Sequence, residues 1–194
     1  MRLIISLLIL AGLVSCGNTD NGNKETLNDV DSTTIADTTD YSAEYEATTN
    51  MKVGTVVPDF TLTTLRGEKF QLSELKGKTV FLNFFALTCP ICIKELPELE
   101  KQIWQKYKDN KNLVVLTIGR EETDEKLVAF RDKKGFTFPI ATDADRSIYA
   151  MFAEKYIPRN IIIDKEGKLV FTEVGFNEEK FANLINEIEK NITE

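Results

Sequence analysis

The stretch Thr79-Val80-Phe81-Leu82-Asn83-Phe84-Phe85-Ala86-Leu87-Thr88-Cys89-Pro90-Ile91-Cys92 decides how the rest of the chain is read. Residues 79–86 are almost wholly apolar, the pattern of a central strand covered on both faces. A helical pattern then runs from Pro90 to about Lys108. Pro90 suits the first helical position, where a missing N–H costs nothing and the fixed φ is already helical. Two cysteines three apart therefore stand where a buried strand hands over to a helix. At a helix N-terminus the unpaired N–H groups and the macrodipole favour a negative sulfur. Cys89 is thus expected to ionise below the free-thiol value of about 8.5. Cys92, one turn further on, is placed to attack a mixed disulfide formed at Cys89 and release the partner reduced.

The pattern on either side alternates between strand and helix. Downstream, Leu113–Ile118 reads as a strand, and residues 123–134 read as a helix closing at Gly135 after Lys133-Lys134. Asn160–Ile163 and Lys168–Phe171 read as strands around the turn Asp164-Lys165-Glu166-Gly167. Phe181, Leu184, Ile185 and Ile188 repeat at i, i+3, i+4 and i+7, an amphipathic final helix. Upstream, Phe60–Thr63 and Lys69–Leu72 alternate apolar and polar across Arg66-Gly67, which predicts a hairpin. The class is α/β, a mixed central sheet flanked by helices, and the folded part is expected to span 51–194.

Residues 1–50 are of another kind. Met1-Arg2 leads into a short apolar run ending Leu13-Val14-Ser15-Cys16, too short for a membrane span and typical of an export signal over 1–15. Leu13-Val14-Ser15-Cys16 resembles the lipobox of bacterial lipoproteins, in which the cysteine is acylated and becomes the mature N-terminus. An ordinary signal peptide with a chance Cys is the alternative. Residues 17–50 lack Phe, Trp and Pro, show no period, and carry eight acids against Lys24 alone. Such a composition cannot offset its ordering entropy, so 16–50 is expected to be an acidic disordered tether. Thirty-four flexible residues span about 30 Å root-mean-square. Asp31-Ser32-Thr33 and Asp37-Thr38-Thr39 resemble an O-glycosylation signal of one group of Gram-negative bacteria, although chance matches are common in so Thr- and Asp-rich a segment.

Composition removes several mechanisms. The 194 residues include no His, which excludes Ser-His-Asp and Cys-His catalysis and imidazole-ligated zinc. A net charge of −7 argues against nucleic acid as a partner. That charge belongs to the tether, since 51–194 holds 22 basic and 23 acidic residues. Three plain roles for Cys89 and Cys92 remain to be weighed. Half a zinc site has no second Cys pair or His to complete it. A structural bridge across three residues would constrain the unfolded chain little. Inert thiols would be out of place in an exported protein, where unpaired thiols are normally oxidised.

Three separated motifs now carry a resemblance. They are Asn83–Cys92, then Glu95-Leu96-Pro97-Glu98-Leu99, then Tyr156-Ile157-Pro158-Arg159-Asn160-Ile161-Ile162-Ile163-Asp164. Residues 51–194 resemble the thioredoxin superfamily, specifically the exported, membrane-tethered thiol-disulfide oxidoreductases of the TlpA/ResA type. The resemblance implies a thioredoxin-like fold with an N-terminal β-hairpin and a helical insertion over about 119–146. It implies Cys89 as the attacking thiolate, Cys92 as the resolving thiol, and Glu95 as a proton-handling carboxylate. Without the family, Glu95 would read as a solvated helix carboxylate. It further implies a cis Pro158 that sets the Ile157 backbone beside the dithiol to pair with an extended substrate. Three departures stand out. Thr88 occupies the position before the first Cys where the family commonly has Trp, which alters the docking surface. Pro90 comes first in the dipeptide between the cysteines, whereas many relatives carry proline second. Asn83 stands where thioredoxin has a buried Asp, leaving Glu95 the candidate for proton transfer.

The expected activity is extracytoplasmic, membrane-anchored thiol-disulfide exchange, with disulfide reduction favoured, and no cofactor beyond the Cys89–Cys92 disulfide. Partners would be disulfide-bearing or dithiol proteins, a membrane electron donor or acceptor, and the bilayer through Cys16. The location would be a periplasm-facing lipoprotein of a Gram-negative cell, the outer membrane slightly favoured over the inner. A thiol peroxidase of the peroxiredoxin type is one alternative. The Pro and Thr/Ser that precede the peroxidatic Cys in that family are missing, with Ala86 and Leu82 at those positions. A non-catalytic binding lipoprotein is the other.

Overall fold

Seven consecutive buried residues, Thr79–Phe85, form the middle strand of a five-stranded sheet. The computed structural model describes residues 42–193. The signal segment 1–15, Cys16, the tether to residue 41 and both O-glycosylation signals lie outside the described residues. In chain order the elements are α1 (Ser42–Ala47), β1 (Thr61–Thr63), β2 (Lys69–Gln71), β3 (Thr79–Phe85), α2 (Pro90–Glu98), α3 (Gln105–Tyr107) and β4 (Leu113–Arg120). There follow α4 (Asp124–Lys134), β5 (Ile140–Asp143), α5 (Tyr149–Phe152), β6 (Arg159–Ile163), β7 (Leu169–Val174) and α6 (Glu178–Thr193).

The sheet order is β5-β4-β3-β6-β7, with β3, β4 and β5 mutually parallel and β6 and β7 antiparallel to their neighbours. This is the thioredoxin-like arrangement, and β1–β2 form a separate two-stranded hairpin, as the sequence pattern predicts. Alternation along β3 divides the core. Val80, Leu82 and Phe84 pack with Tyr149, Phe152 and the N-terminal segment, while Phe81 and Phe85 pack with α2 and α6. Each fully buried Phe is worth about 1.5–3 kcal/mol relative to exposure, so β3 anchors both layers. Asn83 falls on the α2 face, a polar residue within the apolar run Val80–Phe85.

Three differences from the sequence reading have physical causes. Residues 42–50, expected within the tether, include α1 and fold back on the domain. The Tyr45 ring meets Tyr156 edge-on at 5.0 Å, and the Asn50 N–H donates to Phe152 O at 2.8 Å. These partners lie a hundred residues away, so local composition does not announce them. The helix expected from Pro90 to Lys108 is not uniform. Pro97 removes one backbone donor inside α2, and from Leu99 to Trp104 the helix widens, with the Gln105 N–H reaching Glu100 O five residues back. The insertion at 119–146 contains more than a helix: after α4 it adds β5 as an edge strand paired in parallel with β4. Thr123 accepts the Lys126 N–H to start α4, and Gly135 ends it at φ 71°.

Gly119 marks where α4 meets the sheet. A Cβ there would lie 2.6 and 2.8 Å from the two δ-methyls of Leu127, the fully buried residue of α4. We expect Gly119→Ala to destabilise the domain by about 1–3 kcal/mol, through overpacking, in urea denaturation. Combining it with Leu127→Ala should cost less than the sum of the two single changes. Strict additivity would show that the contact does not set the packing.

Candidate active site

Cys89 caps α2. Its backbone is extended (φ −98°, ψ 102°), its Sγ accepts the Cys92 N–H at 3.2 Å, and Pro90 opens the helix behind it. The helix start therefore directs an N–H at the first sulfur, the geometry that favours a thiolate when the pair is reduced. The two cysteines are joined in a disulfide with a Cα–Cα separation of 5.3 Å. Their exposure is unequal: Cys89 is half-buried, whereas Cys92 has 0%. Thr88 and Pro90 are exposed beside it, and Ile91 is 40% exposed.

Across from the disulfide lies the loop entering β6. The Ile157–Pro158 peptide bond is cis, and the Ile157 carbonyl oxygen lies 3.7 Å from Cys89 Sγ. The Tyr149 hydroxyl shares its one proton between the carbonyls of Lys155 and Tyr156, at 2.5 and 2.7 Å, and so holds this loop.

Beneath the cysteines is a buried polar cluster. Glu95, on the turn of α2 after Cys92, is 1% exposed. Its two oxygens accept Nδ2 of Asn160 at 2.6 Å and Nδ2 of Asn83 at 2.8 Å. Asn83 and Asn160 face each other in the β3–β6 register, and Asn83 Nδ2 also donates to Asn160 Oδ1 at 2.8 Å. Removal from water pushes the Glu95 carboxyl up to about 7, and the two amide donors offset only part of that rise. A carboxyl poised there can take or give a proton near neutrality.

The structure thus brings together Thr88, Cys89, Cys92, Glu95, Ile157 and Pro158, while Cys16 lies outside the described residues. Two residues of the neighbourhood escaped the sequence reading. Asn160 is one; a polar residue opening the run Ile161-Ile162-Ile163 is its only signal. Glu122 is the other, 6% exposed, with Oε1 accepting the Leu87 N–H at 2.8 Å and steadying the segment that leads into Cys89. Nothing local distinguishes it from Glu121. Among the described residues no group of three His, Cys, Asp or Glu could hold a metal ion.

A CxxC pair at the start of the helix after the central strand, facing a cis-proline loop, is the constellation of thioredoxin-like thiol-disulfide oxidoreductases. The comparisons narrow this class. Residues 52–188 match the Redoxin family model, and the chain belongs to that family. It is 36% identical over 125 residues to thiol-disulfide oxidoreductase ResA of Bacillus anthracis, covering 64% of this chain and 71% of that one. A solution structure of a candidate protein disulfide isomerase from Bacteroides thetaiotaomicron superposes with a TM-score of 0.72 at 40% identity, covering 76% of this chain and 94% of that one. The exposed lipoprotein thioredoxin Etrx1 of Streptococcus pneumoniae gives 0.53 at 30% identity, covering 67% and 99%. The protein is an enzyme of this class, a thiol-disulfide oxidoreductase of the ResA type.

Glu95 makes stability depend on pH. Its carboxyl titrates near 7 when folded and near 4.5 when exposed, so its contribution is complete below about 4.5 and lost as pH rises through 7. The difference corresponds to about 3 kcal/mol. Glu95→Gln should therefore flatten the fall in stability between about pH 5 and pH 8, measured by denaturant unfolding across that range. Equal slopes in both proteins would mean that Glu95 titrates as an ordinary carboxylate.

Proposed function

We propose that the protein is a lipid-anchored, extracytoplasmic disulfide reductase in which Cys89 attacks and Cys92 resolves. The observation that carries this reading is the unequal exposure of the two sulfurs. Only Cys89 offers an edge that an incoming disulfide can reach, while Cys92 is sealed beneath it.

The Cys89 thiolate attacks one sulfur of a substrate disulfide. A mixed disulfide forms, and the other substrate sulfur leaves as a thiolate and takes up a proton. Glu95, one turn beyond Cys92, then accepts the Cys92 proton. The Cys92 thiolate attacks Cys89 Sγ, expelling the second substrate sulfur, and the Cys89–Cys92 disulfide closes. Two electrons have passed to the substrate, and a dithiol donor must return two to the protein. The Ile157 backbone, beside Cys89 and next to Pro158, is the edge along which an extended substrate segment pairs. Thr88 and Ile91 form the docking surface around it, and the small polar Thr88 makes that surface less apolar than an indole would.

Several observations support the remaining parts. Leu13-Val14-Ser15-Cys16 supports acylation at Cys16, and Etrx1, a lipoprotein thioredoxin, is similar over most of its own length. Several acyl chains on one Cys make a firm anchor. No helix among the described residues is long and apolar enough to cross a membrane. Anchoring near a membrane gives a reductase access to a membrane-bound electron donor in an oxidising compartment. A periplasm-facing site in a Gram-negative cell rests on the O-glycosylation signals alone, and they do not distinguish the outer membrane from the inner. The ResA relative, from Bacillus, lends it no support.

Cys92→Ser should accumulate a covalent adduct with a substrate protein that is released by dithiothreitol, while Cys89→Ser should trap nothing and reduce nothing. Failure of the wild type to reduce insulin, together with no adduct on the variant, would end the reading. The couple should have a reduction potential near the −270 mV of thioredoxin, about −270 mV by redox titration; a value near −120 mV would make the protein an oxidant. Cys16→Ser should move the protein from the membrane to the soluble fraction.

A further inference from the structure

Arg159 is 1% exposed, and its hydrogen-bond partners among the described residues are all neutral. One Nη donates to Thr49 Oγ1 at 3.1 Å and Thr172 Oγ1 at 3.4 Å, and the other to Lys155 O at 3.2 Å. Nε has no acceptor. Among the described residues no carboxylate lies within ion-pair distance of its guanidinium. A buried cation held only by neutral groups is costly, and an opposite charge arriving from outside would relieve that cost.

Arg159 lines an open cavity of about 750 Å³ bordered by α1, the chain after it and the β6–β7 strands. The cavity's charges are Lys52, Arg159 and Lys180 against Glu46 and Glu173. Lys180 is already engaged, donating to Glu173 at 2.9 Å and to Val174 O at 2.7 Å. Arg159 and Lys52 therefore face Glu46, an excess of one positive charge. That balance suits a monoanion and disfavours phosphate, whose second charge would meet the two carboxylates. The guanidinium fork matches a planar carboxylate, and Met51, Val53 and Val174 supply an apolar wall for whatever the carboxylate is attached to.

We propose that this cavity is a binding site for a monoanionic carboxylate ligand, such as a peptide C-terminus, separate from the disulfide and independent of its chemistry. Arg159 directly follows Pro158, so the site adjoins the loop that faces Cys89.

The test is isothermal titration calorimetry on the full chain with N-acetyl-trialanine, its C-terminal amide, acetate and inorganic phosphate. The acid should bind at least about tenfold more tightly than the amide, because only the acid pairs with the guanidinium. Tripeptide over acetate assigns the site to peptide termini, and equal binding per carboxylate assigns it to small acids; both uphold the proposal. Arg159→Gln should weaken binding of the acid by about tenfold or more. Glu46→Gln, at an exposed position, should tighten it about two- to fivefold by removing a like charge, and it stays informative if Arg159→Gln fails to fold. The proposal falls if acid and amide bind alike, if phosphate binds more tightly than the carboxylates, or if neither variant changes the affinity.

Discussion

A carboxylate that must stay dry beneath a redox pair constrains most of this structure. Glu95 cannot be placed there without donors, and those donors cannot come from α2, whose N–H groups are committed to the helix. They come instead from the sheet below. Asn83 and Asn160 stand opposite each other on neighbouring strands and converge on the two oxygens. This arrangement requires β3 to pass through the centre of the sheet and β6 to lie antiparallel against it in one register. It also requires α2 to cross above them with Cys92 and Glu95 on one face. From Val80 to Phe85 the central strand is consequently apolar except at Asn83, which serves this carboxylate.

Much of this was legible in the chain. The continuous apolar run of β3, the CxxC at its exit and the alternation of the hairpin strands β1 and β2 are local signals. Each specifies its element through burial, capping or turn chemistry that acts within a few residues. What was not legible depends on partners far along the chain. Asn83 reads as an interruption of a strand until Asn160 is placed opposite it. Tyr45 reads as a stray aromatic in an acidic tether until Tyr156 is placed against it, a contact that ties α1 to the loop before β6. β5 is short and ends in Thr142-Asp143, a polar pair whose roles are to bond Asp124 and to cap the turn at Ile148 and Tyr149. Its pairing with β4 gives it strand form that its composition alone does not.

The same distinction applies to the site. The cysteines announce their chemistry, because a reactive sulfur needs little more than a helix start and an exposed edge. The burial of Glu95 and the capture of the Leu87 N–H by Glu122 are products of packing. Glu121 and Glu122 are identical in sequence terms, but Glu121 is exposed with φ 60° whereas Glu122 turns inward. A backbone that kinks at Glu121 chooses between them.

The start of β6 bears a further consequence. Arg159 and Asn160 are consecutive, so the pleat sends one to each side of the sheet, the arginine toward Thr49 and Thr172 and the asparagine toward Glu95. A slip of one residue in this hairpin would exchange them, setting a permanent positive charge against Glu95 and an amide in the opposite chamber. The carboxyl would then be locked as an anion and lose its capacity to hold a proton. The four-residue turn at Asp164–Gly167, where Asp164 accepts the N–H groups of Glu166 and Lys168, thus helps to fix which side chain of β6 meets Glu95. The length of that turn is therefore constrained by the surroundings of Glu95, and no contact with substrate would reveal it.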